Sequence, residues 1–130
     1  YACNCYNDYM NSKLYHREVY FPPFVMAELR KIQDVRVSYS AHAIHQANSD
    51  RYGKVSLPTV VPVHNGDVFE VETVGNKINK LCVRFPLKNR PLSIVFVILF
   101  DYNRNVVKTV WLNQVTDNHS TLNKGNYCNV

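Results

Sequence analysis

LSIVFVILF, residues 92–100, is the stretch on which the fold turns. Only Ser93 among its nine residues is polar, and Ile94, Val95, Val97 and Ile98 are β-branched. The run is about half as long as a membrane-spanning helix requires, so it reads as a strand. A strand that is apolar on both sides belongs in the middle of a sheet with something covering each face.

Its neighbours read as strands too. DVFEVETV (67–74) and KINKLCVRF (77–85) flank the turn at Val74-Gly75-Asn76, and NVVKTVWLN follows the link Asp101-Tyr102-Asn103-Arg104-Asn105. Short links between successive strands predict an antiparallel meander. In the second strand Leu81, Val83 and Phe85 point one way, and Lys80, Cys82 and Arg84 the other. Strict alternation in the last strand puts Val106, Lys108, Val110 and Leu112 on one side, with Val107, Thr109, Trp111 and Asn113 opposite.

Upstream, Pro22 and Pro23 precede helix formers at 24–34, with Phe24, Met26, Leu29 and Ile32 as the apolar set. VRVSYS (35–40) alternates like a strand, and Ser40 suits the N-cap of a helix over 41–52 that stops at Gly53. In that helix Ala43, Ile44 and Ala47 share one side, while His42, His45, Gln46 and Ser49 occupy the other. The first 22 residues lack a sustained period and read as an irregular arm. Its Tyr1, Tyr6, Tyr9, Tyr15 and Tyr20 offer apolar ring area to a neighbouring chain or surface.

The expectation is therefore an α+β fold: an antiparallel sheet of about four strands in a meander, packed with one or two short helices. The arm (1–22) precedes a single domain (23–130). A length of 130 residues, 46% hydrophobic and 19% charged, fits one soluble globular unit and excludes disordered or collagen-like chains. No stretch is long and apolar enough for a membrane span, and no signal-peptide pattern is visible. A cytoplasmic or virion setting is the expectation.

The net charge of +5 suits a polyanionic partner such as RNA. Among the four cysteines, Cys3 and Cys5 are too close to pair easily, and Cys82 falls in a strand where a free buried thiol is usual. No metal or other cofactor is expected: HAIH (42–45) lacks the spacing and the glutamate of H-E-x-x-H, and C-x-C is a less common ligand spacing than C-x-x-C.

Two polar groupings could carry chemistry. His42 and His45 lie three apart on a helix, and His119 sits in the polar stretch TDNHSTLN after the last strand. Metal-independent RNA cleavage needs a base for the ribose 2′-hydroxyl, an acid for the leaving oxygen and cations for the transition state. His42, His45 and His119 are the candidates for acid and base, and Lys80, Arg84 and Lys108 for phosphate contacts. The bland reading assigns the histidines to a solvated helix face and TDNHSTLN to a hydrogen-bonded turn.

A helix opening with S-x-HA (Ser40 to Ala43) ahead of an antiparallel sheet resembles the RelE/BrnT-like small toxin ribonucleases and their phage-borne relatives. KTVWLNQVTDNHSTL (108–122) resembles the ends of small phage and prophage proteins. Together they cover residues 35–127. The resemblance implies an α+β fold with a curved sheet and RNA cleavage, hence a small metal-independent endoribonuclease of phage or mobile-element type. The pattern departs from those toxins in its tyrosine-rich arm and in a last strand whose basic residue is Lys108 alone. The competing expectation is a non-catalytic virion-associated or host-factor-binding protein that meets a protein partner, or a second copy of itself, through the arm.

Overall fold

The computed structural model describes residues 12–114. In chain order these form β1 (Ser12–His16), α1 (Pro23–Arg30), β2 (Asp34–Arg36), β3 (Ser38–Tyr39), α2 (Ala41–Asn48) and β4 (Val60–Pro62). Then come β5 (Asp67–Val74), β6 (Lys77–Pro86), β7 (Leu92–Phe100) and β8 (Asn105–Gln114). Single 3-10 turns occupy Arg17–Val19 and Val63–Asn65. The fold is α+β.

β5 to β8 form the antiparallel meander. Gly75, at φ 61°, supplies the left-handed backbone that the tight turn between β5 and β6 requires. The main sheet has six strands in the order β1-β5-β6-β7-β8-β3, so β7 is paired along both edges. Its Val95 and Val97 are fully buried on one face, and Phe96 and Ile98 are buried on the other. Each such side chain contributes roughly 1.5–3 kcal/mol relative to exposure.

The larger core lies on the face carrying Val71, Leu81, Val83, Ile98 and Val110, where α1 adds Val25 and α2 adds Ala43 and Ala47. The small side chains of Ala43 and Ala47, one helical turn apart and fully buried, let α2 lie close against β8. Opposite is a smaller cluster of Phe69, Cys82, Val95 and Val97, with Trp111 packed against it.

Two strands extend the expected four. Ser12–His16, read as part of the arm, forms edge strand β1, antiparallel to β5. Its mixed composition hides the period, but Tyr15 packs on the core and stands edge-on to Phe24, with ring centroids 6.0 Å apart. The stretch 35–40 is split rather than continuous. β2 pairs with β4 in a separate two-stranded sheet, and β3 runs parallel to β8.

Both helices end before the expected boundaries. After Asn48, Ser49 Oγ donates to the His45 carbonyl and Asp50 Oδ1 accepts from Tyr52 N, local bonds that compete with continued helix. α1 closes through Lys31 N to Glu28 O and Ile32 N to Leu29 O. The alternation in β8 also breaks. A register shift opposite Val97 and Ile98 leaves Lys108 unpaired, which brings Val107 onto the helix-covered face with Val110 and Leu112.

Candidate functional site

Ser40 and Asp50, at the two ends of the α2 segment, hold backbone. Ser40 Oγ accepts from Ala43 N at 3.0 Å, capping α2, and donates to the Lys108 carbonyl at 3.1 Å. Ser40 N donates to the Val107 carbonyl. Asp50 Oδ2 accepts from Leu112 N at 2.9 Å. β3 pairs with β8 only at Val106 and Val107, so these two side chains fasten α2 along the rest of that edge.

Beside them, Tyr39 donates its hydroxyl to the Pro58 carbonyl at 2.5 Å, and burial pushes its pKa up to about 12. His42 and His45 are exposed on the outer side of α2. Among the described residues neither imidazole has a hydrogen-bond or ion-pair partner, although the His45 carbonyl accepts from Ser49. Lys108, half-buried, is brought to the start of α2 by its carbonyl's bond to Ser40.

Lys80 and Arg84 sit on the opposite face of the sheet. Register places them with Cys82, Val95, Val97, Thr109 and Trp111, away from the face that α2 covers. Lys80 Nζ lies 3.8 Å from Glu72, and Arg84 Nε donates to Asp67 Oδ2 at 2.7 Å. The structure thus does not bring His42 and His45 together with Lys80 and Arg84. His119 lies outside the described residues, as do Tyr1, Tyr6, Tyr9, Cys3, Cys5 and Cys128. Tyr15 is committed to the core and Phe24, while Tyr20 is 66% exposed.

On the Lys80 and Arg84 face, Glu70 is buried between His16, whose Nδ1 lies 3.4 Å away, and Cys82, whose thiol donates at 3.9 Å. Burial, reinforced by the Glu70 charge, pushes the Cys82 thiol well above its ordinary range. A neutral buried thiol is a poor nucleophile. Among the described residues, no group of three or more His, Cys, Asp or Glu side chains gathers to hold a metal ion, and no helix is long and apolar enough to cross a membrane.

The polar groups that converge on open space lie at the end of the sheet where β5 begins. Asp67 receives Arg84 on one oxygen and the Arg17 guanidinium on the other. One carboxylate between two guanidiniums leaves a net positive charge. The Arg84 guanidinium also lies over the Phe69 ring, 5.8 Å from its centroid, which restricts it further. Partly exposed ion pairs of this kind add little stability, so their main effect is to position the two cations.

Both arginines line a polar cleft of about 550 Å³ with Asn65, Gly66, Pro86 and Ser93. Arg17, Gly66 and Asp67 also border a second cleft of about 700 Å³, floored by Phe21, Leu29, Ile32, Val63 and Val68. Gly66 is required at the junction: a Cβ there would stand 2.5 Å from Val83 Cγ2 and 2.7 Å from the Phe85 ring.

Arg17 and Asp67 were absent from the sequence-derived set. For Asp67 the signal was present. Counting outward from Gly75-Asn76 pairs Val74 with Lys77 and reaches Asp67 opposite Arg84, because the bulges at Phe69 and Asn79 cancel. For Arg17, which reaches Asp67 from the turn after an unrecognised strand, there was none.

Comparison of the chain with protein-family models, with curated proteins and with solved structures gives no match.

Proposed function

We propose that this protein binds RNA, gripping the phosphate backbone in the polar cleft between Arg17 and Arg84. The observation that carries the reading is the pair of guanidiniums held by Asp67 beside open space. Guanidinium forks match phosphate oxygens, and two that are already positioned lose little freedom on binding. The adjoining β6–β7 loop carries Lys88 beyond Pro86, while the Arg90 guanidinium donates to the Tyr52 carbonyl, and the net charge of +5 favours a polyanion overall.

Binding is a better-supported activity than cleavage. The endoribonuclease reading asks His42 or His45 to act at a phosphate held by Lys80, Arg84 and Lys108, yet Lys80 and Arg84 occupy the side of the sheet opposite α2, leaving Lys108 alone near the helix that carries the histidines. The remaining candidate, His119, lies outside the described residues.

The test is fluorescence anisotropy of a labelled single-stranded RNA, titrated in EDTA at several salt concentrations with the wild type, Arg17→Ala and Arg84→Ala. Each variant should weaken binding and reduce the magnitude of the slope of log K against log salt by about 0.7, the contribution of one single-strand phosphate contact. Affinity independent of salt and of both arginines would refute the proposal. Electrophoresis of the same samples, with a His119→Ala control, reports cleavage directly. Cutting by the wild type and not by that variant would assign an endoribonuclease.

A further inference from the structure

Resting on that reading, we infer that the apolar cleft beside the arginine pair takes an unpaired base, which makes the protein selective for single-stranded over duplex RNA. The two clefts share Arg17, Gly66 and Asp67, so a chain whose phosphate sits on the arginines can place its adjoining base on the apolar side. The floor is aliphatic and aromatic, built from Phe21, Leu29, Ile32, Val63 and Val68. Its volume of about 700 Å³ lies within the range of small-molecule pockets.

The rim fits a base better than an aliphatic chain. Gln33, His64 and Arg30 stand around the apolar floor and can meet the hydrogen-bonding edge of a heterocycle. Asp67, the single carboxylate lining the cleft, is already held between two guanidiniums. Asp34 stands beside the rim, 3.7 Å from His64 Nδ1, but among the residues that line the cleft a cationic occupant meets Arg17 and Arg30 and no unpaired carboxylate, whereas a neutral ring attached to a phosphate meets complementary charge.

Tyr20 adds an independent observation. It follows the turn Arg17–Val19 with φ 103°, a backbone conformation that costs a non-glycine residue free energy. Tyr20 is 66% exposed at the border of the cleft, with Met26, 40% exposed, on the α1 wall. An exposed aromatic beside a phosphate site is what sequence-tolerant binding of single strands uses, since every base has a face to stack. A paired base is already stacked within its helix and cannot enter.

The experiment compares single-stranded and duplex RNA of one length, by anisotropy, for the wild type, Tyr20→Gly, Met26→Ala and Arg84→Ala. Glycine relieves the left-handed backbone, so Tyr20→Gly removes the ring without threatening the fold, and Met26→Ala probes the other wall. Tyr20→Gly should weaken single-strand binding by about five-fold to a hundred-fold, leaving duplex binding and the salt slope unchanged. Arg84→Ala should lower both affinities and the slope. Equal affinity for single strand and duplex, insensitive to Tyr20→Gly but sensitive to Arg84→Ala, would overturn the base site and leave the RNA reading standing. RNA affinity insensitive to Arg84→Ala would overturn both. So would a leucine-rich poly-glutamate peptide that binds in place of RNA and depends on Tyr20.

Discussion

Replacing Asp50 by alanine tests whether the polar end of the α2 segment is there for architecture. Its carboxylate accepts two backbone N–H groups at 2.9 Å: Tyr52 N, within its own turn, and Leu112 N, on the edge of β8. The second is the costly one. Leu112 is buried, and β3 offers no backbone partner there because it ends opposite Val107. A hydrogen bond to a charged group contributes about 1.5–3 kcal/mol, and an unsatisfied buried donor carries its full desolvation cost. With the weaker local bond to Tyr52, Asp50→Ala should cost about 3 kcal/mol, or about 10 °C in Tm for a chain of this size.

Asp50→Asn should fall between. Its one remaining carbonyl oxygen can serve either N–H, but its amide then faces the other donor. The control is Asp101→Ala. Asp101 also accepts a backbone bond, from Tyr102 N at 2.6 Å, but in an exposed turn where the loss is at most about 1 kcal/mol. Urea and thermal unfolding followed by circular dichroism would rank the three. A Tm loss for Asp50→Ala no larger than that for Asp101→Ala would refute the clamp.

Gly66→Ala should destabilise by about 1–3 kcal/mol through overpacking against Val83 and Phe85, and should weaken RNA binding because both clefts border that residue. Unfolding and anisotropy on one sample check it. The raised Tyr39 pKa means that between about pH 10 and pH 12 the unfolded chain releases this proton more readily than the folded one. Stability from Tyr39 is therefore complete below pH 10 and declines as pH rises to 12, so Tyr39→Phe should lose stability less steeply across that window in urea titrations. In a protein with Cys3, Cys5 and Cys128 replaced by serine, Cys82 should resist a thiol reagent at pH 8 and react fully in denaturant. Rapid labelling of the folded protein would contradict its burial.

How much of this was legible depended on how local the signal was. The meander announced itself in the alternation of residues 77–85 and 106–113, in the β-branched apolar run 92–100 and in Gly75, and Ser40 was readable as an N-cap because capping involves only the next three residues. Strict alternation failed at Lys108, where one extra residue reverses the face of everything before it. β1 was missed because five residues of mixed polarity carry too short a period, and it is β5 that makes them a strand. Missing β1 also hid Arg17, since the route from its turn to Asp67 exists only once that edge is paired.

The histidines show how little residue type says about a site without its geometry. A catalytic imidazole needs a second group to set its tautomer and aim, and a phosphate nearby. His42 and His45 have the spacing but project from α2 without a described partner, while the serine and aspartate around them are occupied by backbone groups of their own segment and of β8. Recruiting Ser40 or Asp50 to chemistry would unfasten the sheet edge that they hold. Arg17 and Arg84 are in the reverse condition, already aimed by Asp67 and bordering open clefts. Among the described residues, these two guanidiniums border open clefts at the start of β5, with His64 on the rim of the apolar one, and the proposed phosphate grip rests on that preorganisation.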